Sequence, residues 1–193
     1  MKEPVEVSTI ELDLFSGFPR VRILLNTVTI EDPFGSQKPL IKAKEVGLGM
    51  NVLEVLRGTY TIEELAVSVG EIHLTRSSQG DNWDLLNTTD SSNTDINLQY
   101  FEAFDVQVTY NDDIEKSYYS SSINAMYASG IIGNRTALSL QADLTATHAT
   151  LEGEVFLVNA PIIGRIELTI DQEWMLSTKD LKLDGAQVIL DLN

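Results

Sequence analysis

Apolar and polar residues alternate with a period close to two along almost the whole chain, the pattern of strands with one dry and one wet face. Ile10, Leu12 and Leu14 alternate with Thr9, Glu11 and Asp13, and Gly17 to Pro19 then turn the chain. Val21, Ile23 and Leu25 give way to Val28 and Ile30 on the opposite parity. Burying both sets requires a bulge or bend within that strand. Glu31, Asp32, Pro33 and Gly35 carry a strong turn signal. Ile41 and Ala43 open the next strand, and Val46, Leu48 and Met50 finish it.

A short helix is predicted near residues 51–57, with Asn51 as N-cap, Glu54 completing a capping-box variant and Gly58 as the stop. At about two turns it can plug one end of a sheet but cannot cover a face. Strands resume with Leu65, Val67 and Val69, then Ile72 and Leu74 after Gly70; Leu181 and Leu183 precede Gly185, with Val188 and Leu190 after it. Both parity switches fall at a glycine, which predicts a kink there, because glycine tolerates positive φ. Phe104 to Tyr110, the mixed Tyr- and Ser-rich stretch to Ala128, Leu138 to Ala146, Val155 with Leu157, and Ile166 to Ile170 complete a meander of roughly ten to twelve strands. Residues 1–193 are expected to form one domain, with a polar loop at 87–95. The fold class is all-β. Its single apolar face can be dried by a two-sheet sandwich, a closed barrel or an open curved groove, and periodicity alone favours the sandwich.

Composition narrows what such a sheet can do. A net charge of −16 opposes polyphosphates and anionic surfaces, so nucleic acid is excluded as a partner. The basic residues Arg20, Arg22, Lys38, Lys42 and Lys44 are read as solvated strand faces. With no cysteine there are no disulfides, thiolate nucleophiles or thiolate metal sites. No apolar run is long enough for a transmembrane helix, and Met1 to Val7 lack a signal-peptide pattern.

Catalytic chemistry finds little support. His73 and His148 stand alone, without Asp or Glu at ligand spacing, and are expected on a polar face. There is no nucleophile elbow, P-loop or dinucleotide fingerprint, and Gly47 with Gly49 sits among Val46, Leu48 and Met50 as a strand. Asp112 with Asp113, and Asp81 with Asp84, are expected to be solvated turn acids. Asn87 and Asn134 sit in glycosylation-type triplets. Trp83, in Gly80-Asp81-Asn82-Trp83, is the most individual residue and is expected to anchor the core edge, while Tyr118, Tyr119 and Tyr127 are expected in cross-strand packing. No enzyme activity, cofactor or metal is expected.

Taken in order, Phe18-Pro-Arg-Val-Arg-Ile, Val28-Thr-Ile-Glu-Asp, Pro39-Leu-Ile-Lys-Ala-Lys-Glu-Val-Gly-Leu, Asn51 to Gly58, Ile62 to Leu74 and the closing Asn82-Trp83 resemble the N-terminal region of AsmA-like proteins of the bacterial envelope. The likeness is best over 5–86 and looser over 96–193, where Val106 to Tyr110 and Leu181 to Leu190 carry it. What the resemblance implies is a repeating β-groove, a long bent antiparallel meander or half-pipe related in plan to chorein-type bridge-like lipid transfer proteins. It also implies a periplasmic body, anchored in the full-length protein to the inner membrane by an N-terminal helix missing here.

On that basis the expected function is non-enzymatic lipid binding and transfer, shielding phospholipid acyl chains between inner and outer membrane. Further groove segments of the same polypeptide are possible neighbours. The candidate groove liners are Ile23, Val46, Leu48, Val67, Val69, Val106, Val108, Leu140, Leu168 and Leu183, each of which could equally be ordinary dry core. The rival expectation is an assembly factor for outer-membrane proteins that pairs through exposed strand edges.

Overall fold

A computed structural model describes residues 5–13, 19–57, 62–83, 96–132, 136–170 and 174–183. The described chain forms strands β1 (Val5–Asp13), β2 (Arg20–Ile30), β3 (Ile41–Asn51), β4 (Ile62–Ser77), β5 (Gly80–Asp81), β6 (Ile96–Asp112), β7 (Ser117–Ile132), β8 (Thr136–Leu151), β9 (Glu154–Ile170) and β10 (Trp174–Leu183), with helix α1 (Val52–Leu56) after β3. All belong to one sheet ordered β1-β2-β3-β4-β6-β7-β8-β9-β10, with β5 paired to β4. Neighbours are antiparallel except β4 and β6, which run parallel with Glu64 opposite Tyr100 and Arg76 opposite Asp112. The antiparallel meander therefore has one departure. Trp83, just beyond β5, and Ile96, which opens β6, lie at opposite ends of the strands, as a parallel pairing of β4 with β6 requires.

The sheet is bent along one line. In six strands, groove-facing positions occur three residues apart instead of two: Val7 and Ile10, Leu25 and Val28, Ala43 and Val46, Val67 and Gly70, Ala103 and Val106, Ile123 and Met126. The register places every one of these spacings side by side, so a single seam runs across β1, β2, β3, β4, β6 and β7. A parity change confined to one strand would send half its apolar residues to the wrong face. Made in every strand at one row, it keeps all of them on one face, and Ala43, Val67, Ala103, Val106 and Ile123 form a common buried cluster spanning both sides of the seam. In β2, β4 and β6, which run in the same direction, a left-handed residue makes the switch: Thr27 (φ 53°), Val69 (φ 50°) and Asp105 (φ 52°). In β7 the register shifts between Ile123 and Ala125.

The kink expected at Gly70 thus lies one residue earlier, on Val69. Gly70 serves a different need: a Cβ there would sit 2.7 Å from the Lys42 carbonyl oxygen and 3.1 Å from the Ala43 Cα. Its missing side chain lets β3 and β4 approach across the seam. Gly185 lies outside the described residues.

Among the described residues no second layer covers the apolar face; strands touch their sheet neighbours, and α1 touches β3. Yet Val106 is fully buried, at 0% exposure, and Ala103 and Ala43 nearly so. In a one-layer sheet, burial of that degree comes from side chains of the same face closing over the seam, which requires that face to be concave. The fold is the curved groove, and among the described residues no sandwich is formed. The hydrogen-bonded path of nine strands gives a gutter roughly 38 Å long, at about 4.8 Å per strand spacing. Helix α1 follows the expected cap, with Asn51 Oδ1 accepting from the Leu53 N–H at 3.0 Å. It buries none of its residues and leaves Leu56 78% exposed.

Candidate functional site

Because the seam runs across the strands, apolar side chains fall into rows along the gutter, one residue from each strand. Ile23, Leu48 and Leu140 share a row with Leu12, Leu65, Phe101 and Ala128. Val46 and Val67 share the next with Ile10, Leu25, Ala103 and Met126. Val106 lies across the seam with Val28, Ala43, Ile123 and Leu144, and Val108 one row further with Ile30, Ile41 and Ile72. Leu168 on β9 pairs with Leu138 on β8, and Leu183 on β10 pairs with Ile162 on β9; the side chains of Leu168 and Leu183 lie outside what is described.

The sequence-derived liners therefore divide by depth. Val67 and Val106 are core floor, and Val106 has no surface left to offer a ligand. Ile23, Val46, Leu48, Val108 and Leu140 are half-buried and present the walls. Val69 stands apart from these rows: its backbone is left-handed, it is 51% exposed, and it borders a cavity of about 480 Å³ with Lys42, Lys44, Glu71, Asp105 and Gln107. Phe101, Ile72, Met126 and Leu144 also pack against the floor; the alternation of Phe101 with Ala103, Ile72 with Leu74 and Leu144 with Ala142 is visible in the sequence, whereas Met126 falls three residues from Ile123, across the bend.

A second cavity, of about 390 Å³, opens on the inner face between β6 and β9. Its lining includes Val108, Tyr110, Tyr119, Ser121, Ala146, Ala149 and Leu157. Tyr110 stands at the head of an aromatic series, with Trp83 at 5.8 Å and Tyr119 at 6.0 Å between ring centroids. Trp83 therefore anchors the groove's lip, half-exposed. Tyr118 packs on His148 at 6.0 Å, and Tyr127 on the edge of Phe104 at 5.6 Å, in the cross-strand manner expected.

The lip is braced from turn to turn. Asn82, fully buried, donates from Nδ2 to Asp32 Oδ2 at 2.7 Å and to the His73 carbonyl at 2.9 Å, and accepts from the Thr75 N–H at 2.8 Å. Asp32 in turn accepts from the Phe34 N–H at 2.8 Å. The Asp113 N–H reaches the Arg76 carbonyl at 2.9 Å, and the Gly153 N–H the Lys116 carbonyl at 3.2 Å. Asp112, expected as a solvated acid, is instead buried, accepting from the Glu115 and Ile114 N–H groups, both at 2.9 Å, and from the Tyr110 hydroxyl at 3.0 Å. The Glu115 N–H, ahead of the Tyr110 hydroxyl, the Ile114 N–H and the Arg76 charge, holds its carboxyl below the ordinary range against the opposing effect of burial. Burial raises the Tyr110 phenol.

The outer face is polar. Arg22 reaches over β3 to Glu64 of β4 and, at 3.3 Å, to Glu102 of β6. Gly47 and Gly49 keep that lane clear: a Cβ on Gly49 would stand 2.6 Å from the Glu64 Cβ. Glu102 also accepts from the Tyr100 hydroxyl at 2.8 Å, which, with burial and the charge of Glu102, pushes that phenol up to about 12. His73 Nδ1 lies 2.8 Å from Thr109 Oγ1 and Nε2 lies 3.4 Å from Glu71. Among the described residues, no cluster of His, Asp and Glu could hold a metal ion, and no helix is long and apolar enough to cross a membrane.

Comparison with curated proteins gave no match. The sequence profile of the AsmA family matches residues 9–191, nearly the full length. A bent strand array with a leucine-rich helix after its third strand and a closing Asn-Trp pair is what the N-terminal resemblance implied, and with the match extending through the later strands the chain belongs to the AsmA family, a family of envelope-associated proteins.

Proposed function

We propose that this chain is a lipid-binding and lipid-transfer segment of an envelope protein, shielding phospholipid acyl chains in its groove as they move between inner and outer membrane. The observation that carries this reading is the apolar inner face of a one-layer sheet, which no part of the described chain covers. Bare walls of this kind are costly in water, and an acyl chain laid along them would gain about 0.8 kcal/mol per buried methylene. Some ten methylenes would contribute about 8 kcal/mol before the cost of ordering. The rows of similar apolar residues run along the gutter and make no directional bonds with hydrocarbon, which favours sliding. The segment would act in the periplasm as part of an inner-membrane-anchored polypeptide and join further groove segments, and it would perform no catalysis.

A second reading, assembly of outer-membrane proteins by strand pairing, is favoured by β1. Its Val5, Ile10 and Leu12 are 58%, 69% and 57% exposed, and it pairs on one side only among the described strands. Native mass spectrometry of gently purified protein separates the two. Co-purifying phospholipid supports the groove; lipid-free protein that captures β-strand peptides supports the edge.

A further inference from the structure

The groove is not uniform, and one row shows where it changes. Passing along the gutter, Ile41, Ile72 and Val108 give way to Ser121, Ala146 and Ala160 at the same ladder level. Large side chains end at β6 and small ones begin at β7. The seam steps at the same place. Through β7 it passes between Ile123 and Met126, but in β8 and β9 the three-residue spacing falls at Ala146 and Ala149 and at Leu157 and Ala160, nearer the lip. Asn159 (φ 50°) is the left-handed residue there, and the β7–β8 register shifts between Ser120 and Ser121. Small side chains and a displaced bend together leave the cavity of about 390 Å³.

We infer that this step is a discrete binding site for a single hydrocarbon chain, a resting place within the groove. The inference rests on the lipid-binding reading and localises it. Ten residues line the cavity, and none is Asp, Glu, Lys or Arg, in a chain with 42 such residues. Ser120 and His148 complete the polar part of the lining with Ser121 and the two tyrosines, so an ionic ligand would find no carboxylate, ammonium or guanidinium to pair with, whereas hydrocarbon meets Val108, Ala146, Ala149, Leu157 and Ile162. The volume lies in the range of about 300 to 1,000 Å³ typical of small-ligand pockets. Ala146 sits between Ser121 and Ala160 on neighbouring strands, so a larger side chain at 146 projects into the space itself. Other apolar walls, such as Leu48, lie strands away and serve passage, not residence.

Trp83 supplies the readout, because it packs on Tyr110, which lines the cavity. Replacing the second tryptophan, Trp174→Phe, makes Trp83 the reporter. Titration with a zwitterionic lysophospholipid brominated along its chain should quench Trp83 saturably. Adding Ala146→Leu should weaken that quenching by about tenfold or more, with native mass spectrometry still detecting lipid in the rest of the groove. Ser121→Val, a milder filling of the same space, should weaken it in the same direction and serves if the first variant melts early. Undiminished quenching in both folded variants overturns the site. So does lipid seen by mass spectrometry with Trp83 unquenched in the Trp174→Phe protein, an outcome that leaves the groove reading standing. Lipid absent by both methods overturns site and groove together.

Discussion

Asn82 donates to the carboxylate of Asp32 at 2.7 Å, linking residues 50 apart in sequence and clamping the turn after β2 to the turn after β5. Both partners are buried, Asn82 completely, and the Asn82 side chain also bonds the backbone at His73 and Thr75. The lip of the groove is therefore held by side chains that mimic backbone, where strand pairing alone would leave two loose turns.

Removing that clamp strands buried polar groups on both turns. Asn82→Ala should cost about 2 to 4 kcal/mol, since several hydrogen bonds vanish and Oδ2 of the Asp32 carboxylate loses its donor while Oδ1 keeps the Phe34 N–H. Urea unfolding followed by circular dichroism measures it. A loss no larger than that of an exposed substitution such as Gln79→Ala would show that the turns are held by other contacts.

The seam makes an opposite prediction. A β-branched residue in the left-handed region is strained by about 1 to 3 kcal/mol, and glycine is not. Val69→Gly should therefore stabilise the protein by about 1 kcal/mol despite the extra freedom given to the unfolded chain. Gly70→Ala, one residue on, should destabilise it by about 2 kcal/mol or more, because its Cβ would stand 2.7 Å from a backbone oxygen. Both are read from denaturation midpoints, and the contrast between adjacent positions is the test.

Much of this architecture was legible in the alternation of residues, and the parts that were not have identifiable causes. The bend in β2 could be read because Val28 and Ile30 are large and fall on the wrong parity. In β4 the kink was expected at Gly70, the residue with the greater freedom, while the fold spends that glycine on a close approach and bends at Val69. The liners were chosen strand by strand, but depth depends on register between strands, so floor residues such as Val106 and wall residues such as Val108 looked alike. Asn82 was overshadowed by Trp83 because its partner lies in another turn, a distance no local pattern records. The parallel pairing of β4 with β6 was equally hidden, since alternation does not encode direction.

Acid should loosen the lip through Asp112. Hydrogen bonds favour its carboxylate in the fold, so that stabilisation is complete above the ordinary carboxyl value of about 4 and is lost as the pH falls through the lower folded value. Asp112→Asn should flatten the acid limb of a melting-temperature profile below about pH 4. An unchanged limb would mean that other carboxylates set acid stability.

The outer face titrates at the other end of the scale. The Tyr100 phenol, bonded to Glu102, should stay protonated until about pH 12 instead of 10.0. Because the folded state then holds its proton more tightly than the unfolded chain, this contribution is present below the unfolded value and is lost as pH rises toward the folded one. Ultraviolet titration of wild type against Tyr100→Phe isolates the phenol, and Glu102→Gln should return it toward its usual value.

The account as a whole turns on whether the uncovered inner face carries lipid, and a fluorescent-phospholipid exchange assay between vesicles measures that most directly. Wild-type protein is predicted to take up and exchange phospholipid saturably, and Leu48→Asp and Phe101→Asp, which place charge on the wall, should abolish exchange in protein that remains folded by circular dichroism. Folded wild-type protein that neither takes up nor exchanges lipid would contradict the groove as a lipid carrier.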